Sequence, residues 1–349
     1  MTATGQALAL VGALCATIAA SALYLRRVAM PRPPVGRFTR SDIAVMAVVL
    51  MTLPLVYLHL PGTVVGVVFG TVFTAACGTG LAPLTGGRVA AATAVALGAL
   101  VVASGLARWD PLHIVCGDLL LVLAVIAVTN LWAQTGMTAA QVAALAVVLA
   151  PYDLLATGLS SVTADLVRHV SGTPFTPLLT IAGGGSTIAA GLGDCLMLVL
   201  WPLVATKAYG RRAGWCGALA GLAVVGVVLH GAVTGWLHGG VPLLTPLGPC
   251  IGAQYLFWRS RHGTERRTRQ WRGAADPAPA GRPASAWADA LAAASRADRR
   301  TYPAGTWLAV DAGAVVGTGA FPGAARRAGR EAGHPGPPVV IAVPPGDAP

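Results

Sequence analysis

Charge is what this sequence lacks most. Only 11% of its 349 residues are charged and 55% are hydrophobic, giving a mean hydropathy of +0.68. A soluble globular protein carries about 25% charged residues, so the composition excludes an ordinary water-exposed surface and implies a polytopic membrane protein. Acids are scarcest. Residues 1–258 contain six, all aspartate (Asp42, Asp110, Asp118, Asp153, Asp165 and Asp194), and no glutamate. Paired cysteines are also missing. Cys15, Cys77, Cys116, Cys195, Cys216 and Cys250 stand singly in or beside apolar runs, without a CxxC pair or His/Cys cluster. They read as small packing residues, not as a metal or disulfide framework. The start, MTATGQALAL, lacks the basic region of a secretory signal, and Arg26 and Arg27 follow the first apolar run. Residues 6–25 are therefore expected to form a retained helix with its N-terminus outside.

The net charge of +11 does not indicate a nucleic-acid partner, because 13 of 24 basic residues fall in the last 91 positions. The others lie mainly in short loops between apolar runs, the pattern of a cytoplasmic face. A helix of roughly 20 residues crosses a hydrocarbon core of roughly 30 Å. Breaking the apolar runs at charges, Pro and Gly predicts an all-α membrane protein of about nine spans. They run over 6–25, 43–60, 63–84, 88–107, 111–133, 138–158, 187–208, 213–236 and 241–258. With the N-terminus outside, the inner loops hold nine basic residues (Arg26, Arg27, Arg32, Arg37, Arg40, Arg88, Lys207, Arg211, Arg212) and the outer loops two, Arg108 and Arg168. This bias also places the C-terminal tail in the cytoplasm. Residues 1–258 then form the membrane domain. The Arg/Ala/Pro/Gly-rich tail, 259–349, is expected to be mostly disordered. Within it, SAWADALAAASRADRR has the pattern of a weak amphipathic helix for anionic lipid, or else of a solvated tail.

An ionisable group inside a span costs about 2.5–3.5 kcal/mol on insertion scales and usually lines a cavity. Asp118, Asp153 and Asp194 are so placed. Asp153 lies about 22 Å along the sixth span from its inner end, and Asp194 about 10 Å below the outer edge on the seventh. The two carboxyls therefore share a depth on consecutive antiparallel spans. Asp118, about 10 Å below the outer edge of the fifth span, reads first as structural. In GLGD, Gly191 and Gly193 remove side chains just before Asp194, weakening the local helix and admitting another backbone. GGVPLLTPLGPCIG, at the head of the ninth run, carries Pro242, Pro246 and Pro249 and predicts an irregular start at the same depth. Such backbone is tolerated only where it is buried or lines a wet cavity. The histidines His113, His169, His230 and His238 sit near outer helix ends or in the 159–186 loop and do not suggest a metal site.

Tyr152-Asp153, Gly191-Leu192-Gly193-Asp194 and a Pro-x-Leu at the head of the ninth span together resemble the presenilin and signal peptide peptidase family of GxGD intramembrane aspartyl proteases. YDLLATGL and GLGDCLMLVL resemble its two catalytic stretches, and the specific motifs lie within about residues 145–255. The third motif departs from the family's Pro-Ala-Leu. Pro242 takes the proline slot, and Leu244, or Leu243 on a one-residue shift, the leucine slot. The resemblance implies a presenilin-like bundle in which Asp153 and Asp194 hydrolyse peptide bonds with water, needing neither cofactor nor metal. Tyr152, Gly191, Leu192, Gly193, Pro242, Leu243 and Leu244 would shape the site. Substrates would be transmembrane segments or signal-peptide remnants, with membrane lipid and no obligatory protein partner. The short loop between the aspartates and the expected orientation resemble signal peptide peptidase and archaeal members more than presenilin. In TPFTPLLTIAGGGST, Leu178 to Ile181 form a candidate strand for pairing with an unwound substrate. Three alternatives remain. GxGD also admits prepilin peptidases, although their paired cytoplasmic cysteines are missing. Asp118, Asp153 and Asp194 would serve as the relay of a proton-coupled transporter, although the two halves lack internal similarity. A catalytically inactive relative that only binds membrane helices is the third.

Overall fold

The computed structural model describes residues 2–30, 38–183, 186–237, 242–266, 268, 270–271, 301–311, 314–333 and 338–343. It divides into two compact units, Met1–Trp271 and Arg272–Pro349. The first is helical. It comprises α1 (Ala3–Arg27), α2 (Arg40–His59), α3 (Gly62–Thr85), α4 (Gly87–Leu106), α5 (Asp110–Thr135), α6 (Ala139–Asp153), α7 (Val162–Val170), α8 (Leu192–Tyr209), α9 (Arg211–Val233) and α10 (Leu244–His262). A π-helical turn, Leu154–Leu159, prolongs α6, and a hairpin of β1 (Leu178–Gly183) and β2 (Ser186–Gly191) precedes α8.

Among the described residues eight helices are long and apolar enough to cross a membrane: α1 to α5, α6 with its π turn, α8 and α9. The protein is thus a multi-pass, predominantly α-helical membrane protein. The ninth expected span exists as the 19-residue helix α10, but it is more polar than these eight. Large apolar side chains such as Leu8, Val45, Val67, Val95 and Leu219 point outward, the disposition suited to lipid. The innermost span is α8: 72% of its apolar window is buried, against 17–39% for the other seven. Thr39 and Thr138 open α2 and α6 with capping boxes that satisfy otherwise orphaned N–H groups. Gly136 ends α5 in the left-handed region, at φ 115°, where a side chain would be strained.

Glycines set the closest helix contacts. Gly248 and Gly252 bring α10 against Ala146, Val147 and Ala150 of α6. Gly62, Gly66 and Gly70 form one face of α3 on which His169, Thr173 and Phe175 rest, seating the segment between the two aspartate-bearing spans. At the other end, charged side chains close three helix termini. The Lys207 ammonium donates to the carbonyls of Ala133 and Met137 at the end of α5. Glu265 accepts the N–H of Ala139 at the start of α6 (2.6 Å), and Arg266 donates to Thr206 O (3.1 Å) and Ala208 O (3.4 Å) at the end of α8. An acid at a helix start and bases at helix ends both complement the helix dipole.

Three expectations change. The seventh span was expected from residue 187, but Ser186–Gly191 is a strand and α8 begins at Leu192. β-branched Thr187 and Ile188 suit a strand as well as an apolar helix, and pairing with Leu178–Gly183 decides between them. The ninth span was expected over 241–258 with an irregular head; Pro242 and Leu243 are indeed non-helical, and the helix begins only at Leu244, with Pro246 in its first turn and Pro249 inside it. The N–H that Pro246 lacks would have no intrahelical partner there. The membrane unit also runs past residue 258 to Trp271, because Glu265 and Arg266 bind helix ends and Trp271 packs on the core.

The second unit was expected to be mostly disordered, yet it contains ordered structure. β3 (Trp307–Asp311) pairs antiparallel with both β4 (Ala314–Gly319) and β5 (Val339–Ala342), and helix α11 (Pro322–Glu331) packs on β4 and β3. Leu308, Val310, Val339 and Val343 form its core. Gly317 and Gly319 allow this approach: a Cβ at either would lie within 2.6 Å of α11 atoms. The apolar strands are only four to six residues long, too short to stand out in an Ala/Gly-rich tail. The amphipathic stretch expected at 285–300 lies outside the described residues.

The tight α6–α10 contact yields a test. A Cβ at Gly248 would fall 2.5 Å from Ala146 O and 2.7 Å from the Ala150 Cβ. Gly248→Leu should therefore destabilise the detergent-solubilised protein by about 1–3 kcal/mol, read as a lower melting temperature. At Gly226 an added Cβ meets nothing within 4 Å, and Gly226→Leu should change stability by less than about 0.5 kcal/mol.

Candidate active site

Asp153 is the last residue of α6, at the join with the π turn, and is partly buried. One carboxylate oxygen accepts the Thr157 hydroxyl, four residues on, at 3.0 Å, and Thr157 also bonds the Thr163 hydroxyl at 2.8 Å. The other oxygen accepts the main-chain N–H of Leu244 at 2.8 Å, and the N–H of Thr245 is also directed to this carboxyl. These belong to the first two residues of α10, a helix without a capping side chain of its own. Asp153 thus caps α10 from a neighbouring helix, where the dipole favours an acid.

Asp194 lies in the first turn of α8 and accepts the N–H of Gly191, the residue that caps this helix. This is half of a capping box, formed by an aspartate. The two glycines of GLGD have different roles. A Cβ on Gly191 would stand 3.1 Å from Asp194 Oδ2 and crowd the carboxyl. A Cβ on Gly193 would meet nothing within 4 Å, so no close packing requires a glycine there. Leu192 N–H donates to Pro177 O at 2.8 Å and joins the end of the hairpin ladder to the start of α8.

α6 packs on α8 and the charge of Asp153 acts on Asp194, which places the two carboxyls expected to work together in one region. The third motif joins them through Leu244. Leu243 and Leu244 are each 8% exposed, and Pro242 lies along the π turn, 3.5 Å from where a Gly158 Cβ would stand. Tyr152, beside Asp153, keeps a buried hydroxyl without a hydrogen-bond partner among the described residues. The expected dyad and the residues expected to shape it therefore lie on the ends of α6, α8 and α10 or at the hairpin's foot.

Asp118 on α5 accepts the N–H of Thr180 in β1 at 2.9 Å. The charges of Asp118 and Asp194 both reach the buried Cys195, which places the third acid in the same region. The histidines take structural parts: His113 Nδ1 pairs with Val101 O at 3.0 Å and His169 Nε2 with Leu60 O at 2.6 Å, while His238 lies outside the described residues. Among the described residues no group of three His, Cys, Asp or Glu side chains is placed to hold a metal.

The strand expected at Leu178–Ile181 is present as part of β1. Leu178–Ile181 already pairs with Ile188–Gly191, and Asp118 holds the outer side of β1 at Thr180. Main-chain groups alternate across an antiparallel ladder. Since Thr180 N–H points away from β2, its partner Ala189, and Thr187 two residues earlier, turn their main-chain groups away from β1. That outer edge of β2 leads straight to Gly191 and Asp194. Thr157, Thr163 and Thr180 were not singled out from the sequence. Thr157 had a local signal, its place one helical turn after Asp153; the Asp118–Thr180 bond spans 62 residues and had none.

No protein-family model and no curated protein matches this chain.

The Thr157 hydroxyl provides a test of the Asp153 geometry. Thr157→Val keeps the shape and deletes the donor, and should lower stability in detergent by about 1–2 kcal/mol. Thr157→Ser should recover most of that loss in the same thermal melt.

Proposed function

We propose that this protein is an intramembrane aspartyl endopeptidase whose dyad is Asp153 and Asp194. The observation that carries the reading is the placement of two carboxyls from separate apolar spans in one region, where the charge of Asp153 acts on Asp194. The resemblance of the surrounding motifs to the presenilin and signal peptide peptidase family supports it.

Two adjacent carboxyls do not both ionise readily, so the pair shares a proton and titrates as a unit. The ionised member takes a proton from water as the water attacks the peptide carbonyl. The protonated member donates to the oxygen on which negative charge develops. Neither a covalent intermediate nor a cofactor enters this scheme. Leu244 and Thr157 hold the Asp153 carboxyl in place, and Gly191 holds that of Asp194.

A spanning helix conceals its peptide bonds in its own hydrogen bonds and must unwind before cleavage. An unwound segment added to the outer edge of β2, at Thr187 and Ala189, would run toward Asp194. Substrates in this reading are transmembrane segments or signal-peptide remnants presented from the lipid. No nucleic acid and no obligatory partner protein is involved. The arginine distribution supports an N-terminus outside and a tail in the cytoplasm. A proton-coupled transporter is the rival reading, favoured by the third acid, Asp118.

The test is cleavage of a labelled single-span peptide by purified protein in detergent. The parent should cut it, and Asp153→Asn and Asp194→Asn should each lose activity by about 10²–10⁴-fold with unchanged melting behaviour. The rate should be bell-shaped in pH, its two limbs belonging to the pair. Equal cutting by all three proteins, or no cutting together with gradient-dependent uptake in vesicles, would overturn the proposal.

A further inference from the structure

Asp118 is an acid in a membrane span that the dyad chemistry does not use. Its one described hydrogen bond is to main chain, the N–H of Thr180 at 2.9 Å. Thr180 lies on β1 opposite Ala189, and the ladder continues through Ile181↔Ile188 to Gly183↔Ser186. The outward main-chain groups of this hairpin belong to Leu178, Thr180 and Ala182 on β1 and to Thr187 and Ala189 on β2, followed by Gly191, whose N–H is already taken by Asp194. Strand addition needs an edge whose main-chain groups are free, and β1 packs against α5 on this side, at Asp118. The two edges differ in where they lead. β2 ends at Gly191 and the next residue starts the helix of Asp194, whereas the edge of β1 leads to no acid of the dyad. Asp118 stands at the middle of the β1 edge and takes the donor that an added strand would need there.

We propose that Asp118 is a positioning residue for proteolysis: by occupying the Thr180 N–H it closes the edge of β1 and directs an extended substrate to β2, in line with Asp194. The proposal rests on the protease reading above. A carboxylate suits the task because, when ionised, it only accepts hydrogen bonds. It thereby ties down the strand N–H without offering a substrate carbonyl a donor of its own. The hairpin's other supports leave this edge to Asp118. The inward face, with Leu179 and Ala190 buried and Ile181 and Ile188 partly so, packs on the core, which fixes the hairpin's tilt but not the hydrogen-bonding state of its edges.

The experiment uses the full chain in detergent with Asp118→Ala and Asp118→Asn. It reads amide hydrogen exchange over 178–183 and maps the bonds cut in the single-span peptide by mass spectrometry. Asp118→Ala should speed exchange at Thr180 by about tenfold. It should also raise KM more than it lowers kcat and spread cleavage over additional bonds. Asp118→Asn retains a carbonyl acceptor and should restore protection and cut positions. A role in packing alone would lower melting temperature without moving the cut positions, and would overturn the proposal. So would an Asn variant that behaves as Ala does, because the charge and not the acceptor would then matter. If the parent cuts nothing while Asp118→Ala still frees the Thr180 amide, the protease reading fails and the substrate-directing role fails with it. The hairpin tether would then stand by itself.

Discussion

Inside hydrocarbon a main-chain N–H that finds no acceptor is costly, and the arrangement of this site follows from that constraint. The membrane unit breaks its helical ladders at three neighbouring places: the start of α10, the start of α8 and the outer side of β1. One intramembrane aspartate answers each. Asp153 accepts from Leu244, Asp194 from Gly191 and Asp118 from Thr180. The expense of an acid in a span is offset in part by hydrogen bonds to groups that would otherwise be orphaned. The same main-chain bonds fix each carboxyl in position.

The scaffold that carries these acids depends on close backbone approach. α10 meets α6 through Gly248 and Gly252, so that the first turn of α10 comes within reach of Asp153. The glycine face of α3 receives Thr173 and Phe175, which lie just ahead of β1. α8, the most enclosed of the spans, then holds Asp194 at the end of a hairpin whose inward face is packed on the core. Packing thus brings together residues separated by 91 positions in the chain, Asp153 and Leu244.

Much of this was legible in the sequence, and the exceptions share a cause. Most of the expected helices lie within a few residues of those observed, as with 63–84 and Gly62–Thr85 or 88–107 and Gly87–Leu106, because charge, Pro and Gly interrupt the apolar runs there. The two aspartates and the third motif stood out because acids and clustered prolines are rare in this composition. The start of α8 did not: STIAAG is equally apolar as strand or helix, and only its pairing with LLTIAG decides. The Thr180–Asp118 bond and the docking of Glu265 on Ala139 join residues 62 and 126 positions apart. Periodicity carries no information at that range. The short strands of the second unit were hidden by the Ala, Gly and Pro around them.

Glu265 and Arg266 are consecutive residues just beyond α10, yet one grips the start of α6 and the other the end of α8. The three helices that meet at the acids are therefore gathered again at their far ends by a single dipeptide. Such a buckle makes the trio a frame closed at both ends, in which a sideways parting of α6 from α8 must either break the buckle or pivot about it. Any such parting is then hinged at the Glu265–Arg266 end and widest at the level of Asp153 and Asp194.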